Sequence, residues 1–145
     1  MNRTSAIGMG AVFGGILAPF IGCVVIAITR GLMDPKFRFV ALSWPIFFFP
    51  YAALLFGIPG GLAGACFGWC LHSALHKFRS PRILLFFAAM TGGAAGAVIM
   101  TIFKLASDNF SSAFFVPAVV SGSVAAALYS LWLRRCTAHS QSVAQ

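Results

Sequence analysis

From Ala6 to Thr29 the chain runs without a single charged residue, as "AIGMGAVFGGILAPFIGCVVIAIT". At about 1.5 Å per residue, a helix of that length reaches roughly 36 Å, more than the hydrocarbon core of a bilayer. The run exceeds the apolar heart of a signal peptide, about 7–15 residues. It also passes straight through "FIGC" at Cys23 into "VVIAI", which argues against a lipidation site there. It reads as a membrane span that is retained. Three more apolar stretches follow, from Val40 to Leu75, Ile83 to Leu105 and Ala113 to Leu133, the last stopped by Arg134 and Arg135.

Inside lipid every backbone polar group must be satisfied by the chain itself, which leaves helices or a closed barrel. The runs are continuous rather than alternating, so helices are expected. The fold class predicted is all-α, an integral membrane bundle of four transmembrane helices. The spans fall at about 6–29, 50–75, 83–105 and 113–133 of a single domain over 1–135, with a short polar tail at 136–145.

The second stretch is longer than one ordinary span and holds Pro45, Pro50 and Pro59. In one reading, "KFRFVALSWPIFFFP" approaches along the interface and the span from Pro50 is bent or broken near Pro59. Six basic residues (Arg3, Lys77, Arg79, Arg82, Arg134, Arg135) then face four (Arg30, Lys36, Arg38, Lys104) across the membrane. In the alternative, residues 40–76 form a re-entrant hairpin turning at "GIPGG", and the split becomes eight against two, closer to the positive-inside tendency. Each hairpin arm is near the lower length limit for a span, so four crossings are preferred.

Composition agrees. Only 8% of residues are charged, against about 25% in soluble domains, so the chain cannot cover itself with a polar surface. The net charge is +8, and the acids are Asp34 and Asp108 alone. Such a balance in a soluble protein points to nucleic acid. Here the cations Arg30, Lys36, Arg38, Lys77, Arg79, Arg82, Arg134 and Arg135 flank apolar runs, where they meet anionic headgroups, and no nucleic-acid partner is expected. The small share of chain outside the spans points to a bacterial cytoplasmic (inner) membrane.

Small residues recur at every fourth position in each segment. The rows are Gly10, Gly14, Ala18 and Gly22; Gly60, Gly64 and Gly68; Ala88, Gly92 and Gly96; and Ala118, Gly122 and Ala126. Such rows form shallow grooves where helix backbones approach closely in lipid, as in GxxxG packing. The near-identical strings "GGLAGA" at 60–65 and "GGAAGA" at 92–97 are expected to pack on one another or on a second copy. A phosphate loop would need a strand before the glycines and a Lys with Ser or Thr after them, and none is present.

"GGLAGACFGW" is similar, in its GG and GA, to the GGxxGAxxRY pattern of small four-span fluoride channels. The Arg position holds Gly68, the Tyr position holds Trp69, and Asn2 and Asn109 both lie outside the spans. The overlap is about ten residues without the polar half, so the chain is not assigned to that family.

Cys66 and Cys70 are one turn apart, as are His72 and His76, but the two pairs point to different sides of one helix and do not converge as metal or haem ligands. Neither cofactor nor metal is expected, nor a disulfide framework. Both acids lie in loops, and within the spans only Lys104 is charged, so neither acid–base catalysis nor a proton relay is expected. The function expected is that of a non-catalytic multi-pass membrane protein, not an enzyme, acting through helix–helix contacts as an accessory, assembly or immunity-like subunit. Its partners would be the bilayer and either itself, as a homo-oligomer, or another membrane protein. The alternative is a small oligomeric channel or carrier for an anionic or neutral solute, with its pathway at the Pro59 segment.

Overall fold

In a computed structural model of the chain, which describes residues 3–33, 36, 38–74, 80–106 and 112–142, the apolar runs are helices. The first is one rod in three parts: α1 (Arg3–Val12), a π-helical turn (Phe13–Leu17) and α2 (Ala18–Met33). Then come α3 (Arg38–Ala74), α4 (Pro81–Ala106), a 3-10 turn (Ser112–Phe114) and α5 (Phe115–Ser142). Four helical segments are long and apolar enough to cross a membrane: Arg3–Leu32, Ser43–Ser73, Pro81–Ala106 and Phe115–Cys136.

Proline accounts for two local features. Pro81 opens α4, where a missing N–H and a fixed φ suit the first helical position, and the Leu84 N–H closes the first turn on the Ser80 carbonyl at 3.3 Å. Pro19 cannot donate to the Gly15 carbonyl. Just before it the turn widens, and the Ala18 N–H reaches back five residues to the Phe13 carbonyl. Such π adjustments re-satisfy backbone groups that proline leaves over.

The re-entrant hairpin at 40–76 is not what forms. α3 runs unbroken through Pro45, Pro50 and Pro59, so the chain neither reverses nor breaks at "GIPGG". Each proline removes a single i→i−4 bond, whereas a reversal would strip several backbone groups of partners at once. The helix also begins at Arg38, well before Pro50. At about 1.5 Å per residue its 37 residues reach roughly 55 Å, more than a bilayer with its headgroups.

The first rod packs antiparallel to α3, with residues 6, 10 and 14 facing 68, 64 and 60. α4 packs antiparallel to α5, with 92 and 96 facing 122 and 118. α2 joins the two pairs through α5, whereas α3 and α4 scarcely touch beyond the Phe56 and Phe103 rings, 4.9 Å apart. "GGLAGA" and "GGAAGA" therefore do not pack on each other within the chain. Each faces a different helix, because the groove that accepts it is the one its antiparallel neighbour carries. A small core of Ala6, Leu71, Leu84, Tyr129 and Leu133, with Phe13, Phe67 and Trp132 against it, lies toward the end where α1 and α4 begin.

Candidate functional site

Two seams of small residues bring the helices to backbone contact. In the first, a Cβ added at Gly10 would meet the Gly64 carbonyl oxygen, and one at Gly14 the Gly60 oxygen. The reciprocal additions at Gly64 and Gly60 would meet the oxygens of Gly10 and Gly14, and one at Gly68 would lie 2.7 Å from the Ala6 oxygen. The π-helical turn lies within this seam: a Cβ at Gly15 would come to 2.9 Å from the Gly57 oxygen. In the second seam, added Cβ atoms at Gly92 and Gly96 would meet the carbonyl oxygens of Gly122 and Ala118. Gly22 differs: an added Cβ there would sit 3.6 Å from Ser121 Oγ, in ordinary contact. Pro59 is half-buried in α3, between Gly57 and Gly60 of the first seam.

The seams leave an apolar trough of about 450 Å³ lined from all four rods, by residues such as Phe56, Ala63, Phe67, Ala95, Ile99 and Ala125. α3 and α4, which both line it, scarcely touch each other. Among the described residues no charged side chain lines it, and its hydroxyls come from Thr91, Ser121 and Tyr129. Each hydroxyl donates to a backbone carbonyl: Thr91 to Phe87 at 2.8 Å, Ser121 to Ala118 at 3.1 Å and Tyr129 to Ala6 at 2.7 Å. The trough thus presents hydrocarbon and hydroxyl protons that are already committed.

The basic residues divide between the two ends. Arg3, the exposed Arg82 and Arg135, and the half-buried Arg134 stand at the same end as that core. Arg30, Lys36 and Lys104 are exposed at the other, where α3 also starts with Arg38. Lys77 and Arg79 lie outside the described residues, as do Asp34, Asp108 and His76. Arg3 places its guanidinium 5.0 Å from the centre of the Trp69 ring, one residue from Cys70 in the trough lining. Among the described residues Cys23, Cys66, Cys70 and Cys136 form no disulfide, and no group of three metal-ligating side chains occurs. Among the described residues His72 Nδ1 is buried without a hydrogen-bond partner, outside the trough lining.

Tyr129 is the residue that sequence reasoning missed. It is 1% exposed, and Phe13, Phe67 and Trp132 surround its ring at centroid distances of 5.4, 6.1 and 6.0 Å. A signal existed: a phenol inside an apolar run needs a hydrogen-bond partner, and a backbone carbonyl on another helix can supply one. Comparison with protein-family models, curated proteins and solved structures finds no match for the chain.

Proposed function

We propose that the four long helices form one transmembrane bundle and that the protein acts in the bilayer without catalysis, through contacts with membrane partners. It would be an accessory, assembly or immunity-like subunit, of a bacterial cytoplasmic membrane on the compactness of the chain. The partner is another membrane protein or a second copy. The observation that carries the membrane reading is the girdle of large exposed apolar side chains. α3 turns Ile46, Phe47, Leu54, Leu55, Ile58 and Leu62 outward, and α4 turns out Phe86, Phe87, Met90, Val98, Ile102 and Leu105. A surface of that kind exceeds the apolar patches that water-soluble monomers carry. With the small-residue seams closed inside the molecule, this outer surface is what remains to meet partners.

A channel or carrier for a small solute is favoured by one feature, the length of the trough. Its lining argues the other way, since a conducted anion needs donors to replace its hydration shell and the hydroxyl protons here are spent on the backbone.

Single-cysteine labelling from each side of the membrane, in a cysteine-free background, tests the proposal. Positions 34 and 108 are expected to label from one side, and positions 80 and 140 from the other. Labelling of 34 and 80 from the same side would sink the four-span bundle.

A further inference from the structure

The geometry points to the trough as the seat of one acyl chain of an anionic bilayer phospholipid, its headgroup held at the end where Arg3, Arg82 and Arg135 stand. This inference rests on the membrane reading and goes beyond it. On the first rod the lining extends from Gly10 to Ile26, which at about 1.5 Å per residue is roughly 24 Å. Spread over that length, a volume of about 450 Å³ open to the centre of a water molecule, with that molecule's radius added on each side, is a bore roughly 8 Å across. Carbon atoms make contact at about 3.5–4.0 Å, so a methylene chain fits along it. A partner helix, about 10–12 Å across with its side chains, does not fit. Shape selects a hydrocarbon chain over a peptide segment.

Chemistry selects in the same direction. The hydroxyls of Thr91, Ser121 and Tyr129 donate to backbone carbonyls, so a polar ligand would find no free hydroxyl proton and would lose its own hydration. An apolar cavity of about 150 Å³ stays dry and takes up benzene, and this trough is about three times that volume. α3 and α4 scarcely touch and their outward side chains are apolar, so a lipid tail entering between them crosses no polar layer. Charge completes the match. Cys70 and Tyr129 line the trough near the end that carries Arg3, Arg82 and Arg135. A headgroup with a phosphate and a net negative charge is the complement of that end.

The test reconstitutes the full chain in vesicles with phosphatidylglycerol carrying a photoactivatable acyl chain, and maps the cross-links by peptide mass. A phosphatidylcholine probe with the same chain runs in parallel. Cross-links are expected at trough residues such as Ala63, Phe67, Ala95 and Ile99, as well as at outer residues such as Leu54, Ile58 and Val98. Trough labelling should be several-fold stronger from the anionic probe. The filled variant Ala63→Phe/Ala95→Phe should lose trough labelling and keep outer labelling. Native mass spectrometry of the wild-type protein should show one retained phospholipid, which keeps the test independent of whether the filled variant folds. Outer labelling with an unlabelled trough and no retained lipid overturns the inference and leaves the membrane reading standing. Equal trough labelling from the two probes overturns the headgroup assignment. No labelling anywhere, with protein released from membranes by alkaline carbonate, overturns both.

Discussion

The Tyr129 hydroxyl donates a 2.7 Å hydrogen bond to the Ala6 carbonyl, tying residues 123 positions apart at a point where neither is more than 1% exposed. Ala6 is also the residue whose carbonyl faces Gly68, so the bond fixes α5 against the place where the first rod meets α3. Three helices converge on one carbonyl.

Tyr129→Phe keeps the ring among Phe13, Phe67 and Trp132 and removes only the donor. The expected loss is about 1 kcal/mol, the usual net worth of such a bond and near what is measured between helices in lipid. Tyr129→Ala removes the ring as well and should cost about 3–5 kcal/mol. Reversible unfolding in mixed micelles gives both values. Equal losses for the two variants would mean that the ring contributes nothing.

The seam glycines separate into two classes by what an added methyl would meet. Gly10→Ala and Gly64→Ala place a carbon against a facing carbonyl oxygen that can move only with its helix. Overpacking of this kind costs about 1–3 kcal/mol or more. Gly22→Ala places one in ordinary contact with Ser121 Oγ, and Gly8→Ala places one in open space. These two should gain up to about 1 kcal/mol, since alanine loses less conformational freedom in a helix. Thermal unfolding of the four variants checks the order, and a destabilising Gly8→Ala would contradict it.

Gly92 and Gly93 are neighbours in sequence with different prospects. A Cβ at Gly92 would meet the Gly122 carbonyl oxygen and lie 2.5 Å from Ala126 Cβ; one at Gly93 would lie 2.5 Å from Ser123 Oγ, a hydroxyl that can rotate away. Gly92→Ala should therefore lower the unfolding midpoint clearly and loosen α4 from α5, while Gly93→Ala stays within about 1 kcal/mol of wild type. Limited proteolysis of the α4–α5 connection distinguishes them, with faster cleavage expected for Gly92→Ala alone.

These contrasts mark what the sequence made legible. Four apolar runs, with Lys104 their one charge, announce four helices because span length and hydropathy are local properties, readable residue by residue. The four-residue rows likewise identify Gly10, Gly14, Gly60, Gly64, Gly92 and Gly122 as small positions on one face, yet not which row meets which. The resemblance of "GGLAGA" to "GGAAGA" suggested a pairing, whereas each string meets a different partner, because seam partners are set by the antiparallel order of helices in space. Gly22, in the same row as Gly10 and Gly14, faces Ser121 of α5 rather than α3 and does so at ordinary contact distance, a distinction that no pattern carries. Tyr129 and Ala6 were hidden by their separation along the chain. The trough was hidden for another reason, since it results from two helices, α3 and α4, that fail to pack.

Pro59 gives the sharpest separation between a packed helix and a turn. Within α3 it costs one backbone hydrogen bond, and in an otherwise unbroken helix interior proline is disfavoured by about 3 kcal/mol. Its neighbours Gly57 and Gly60 face Gly15 and Gly14 of the first rod, so the backbone here is held by the seam rather than by the ring. Pro59→Ala should leave the labelling pattern at positions 34 and 80 unchanged and raise the unfolding midpoint or leave it within about 1 kcal/mol, because the new N–H finds the Leu55 carbonyl already in helical position. A re-entrant turn built on that proline would respond in the opposite sense, with loss of folded protein and a changed labelling pattern. The pair of measurements on one variant therefore decides whether the proline shapes the chain or is carried by it.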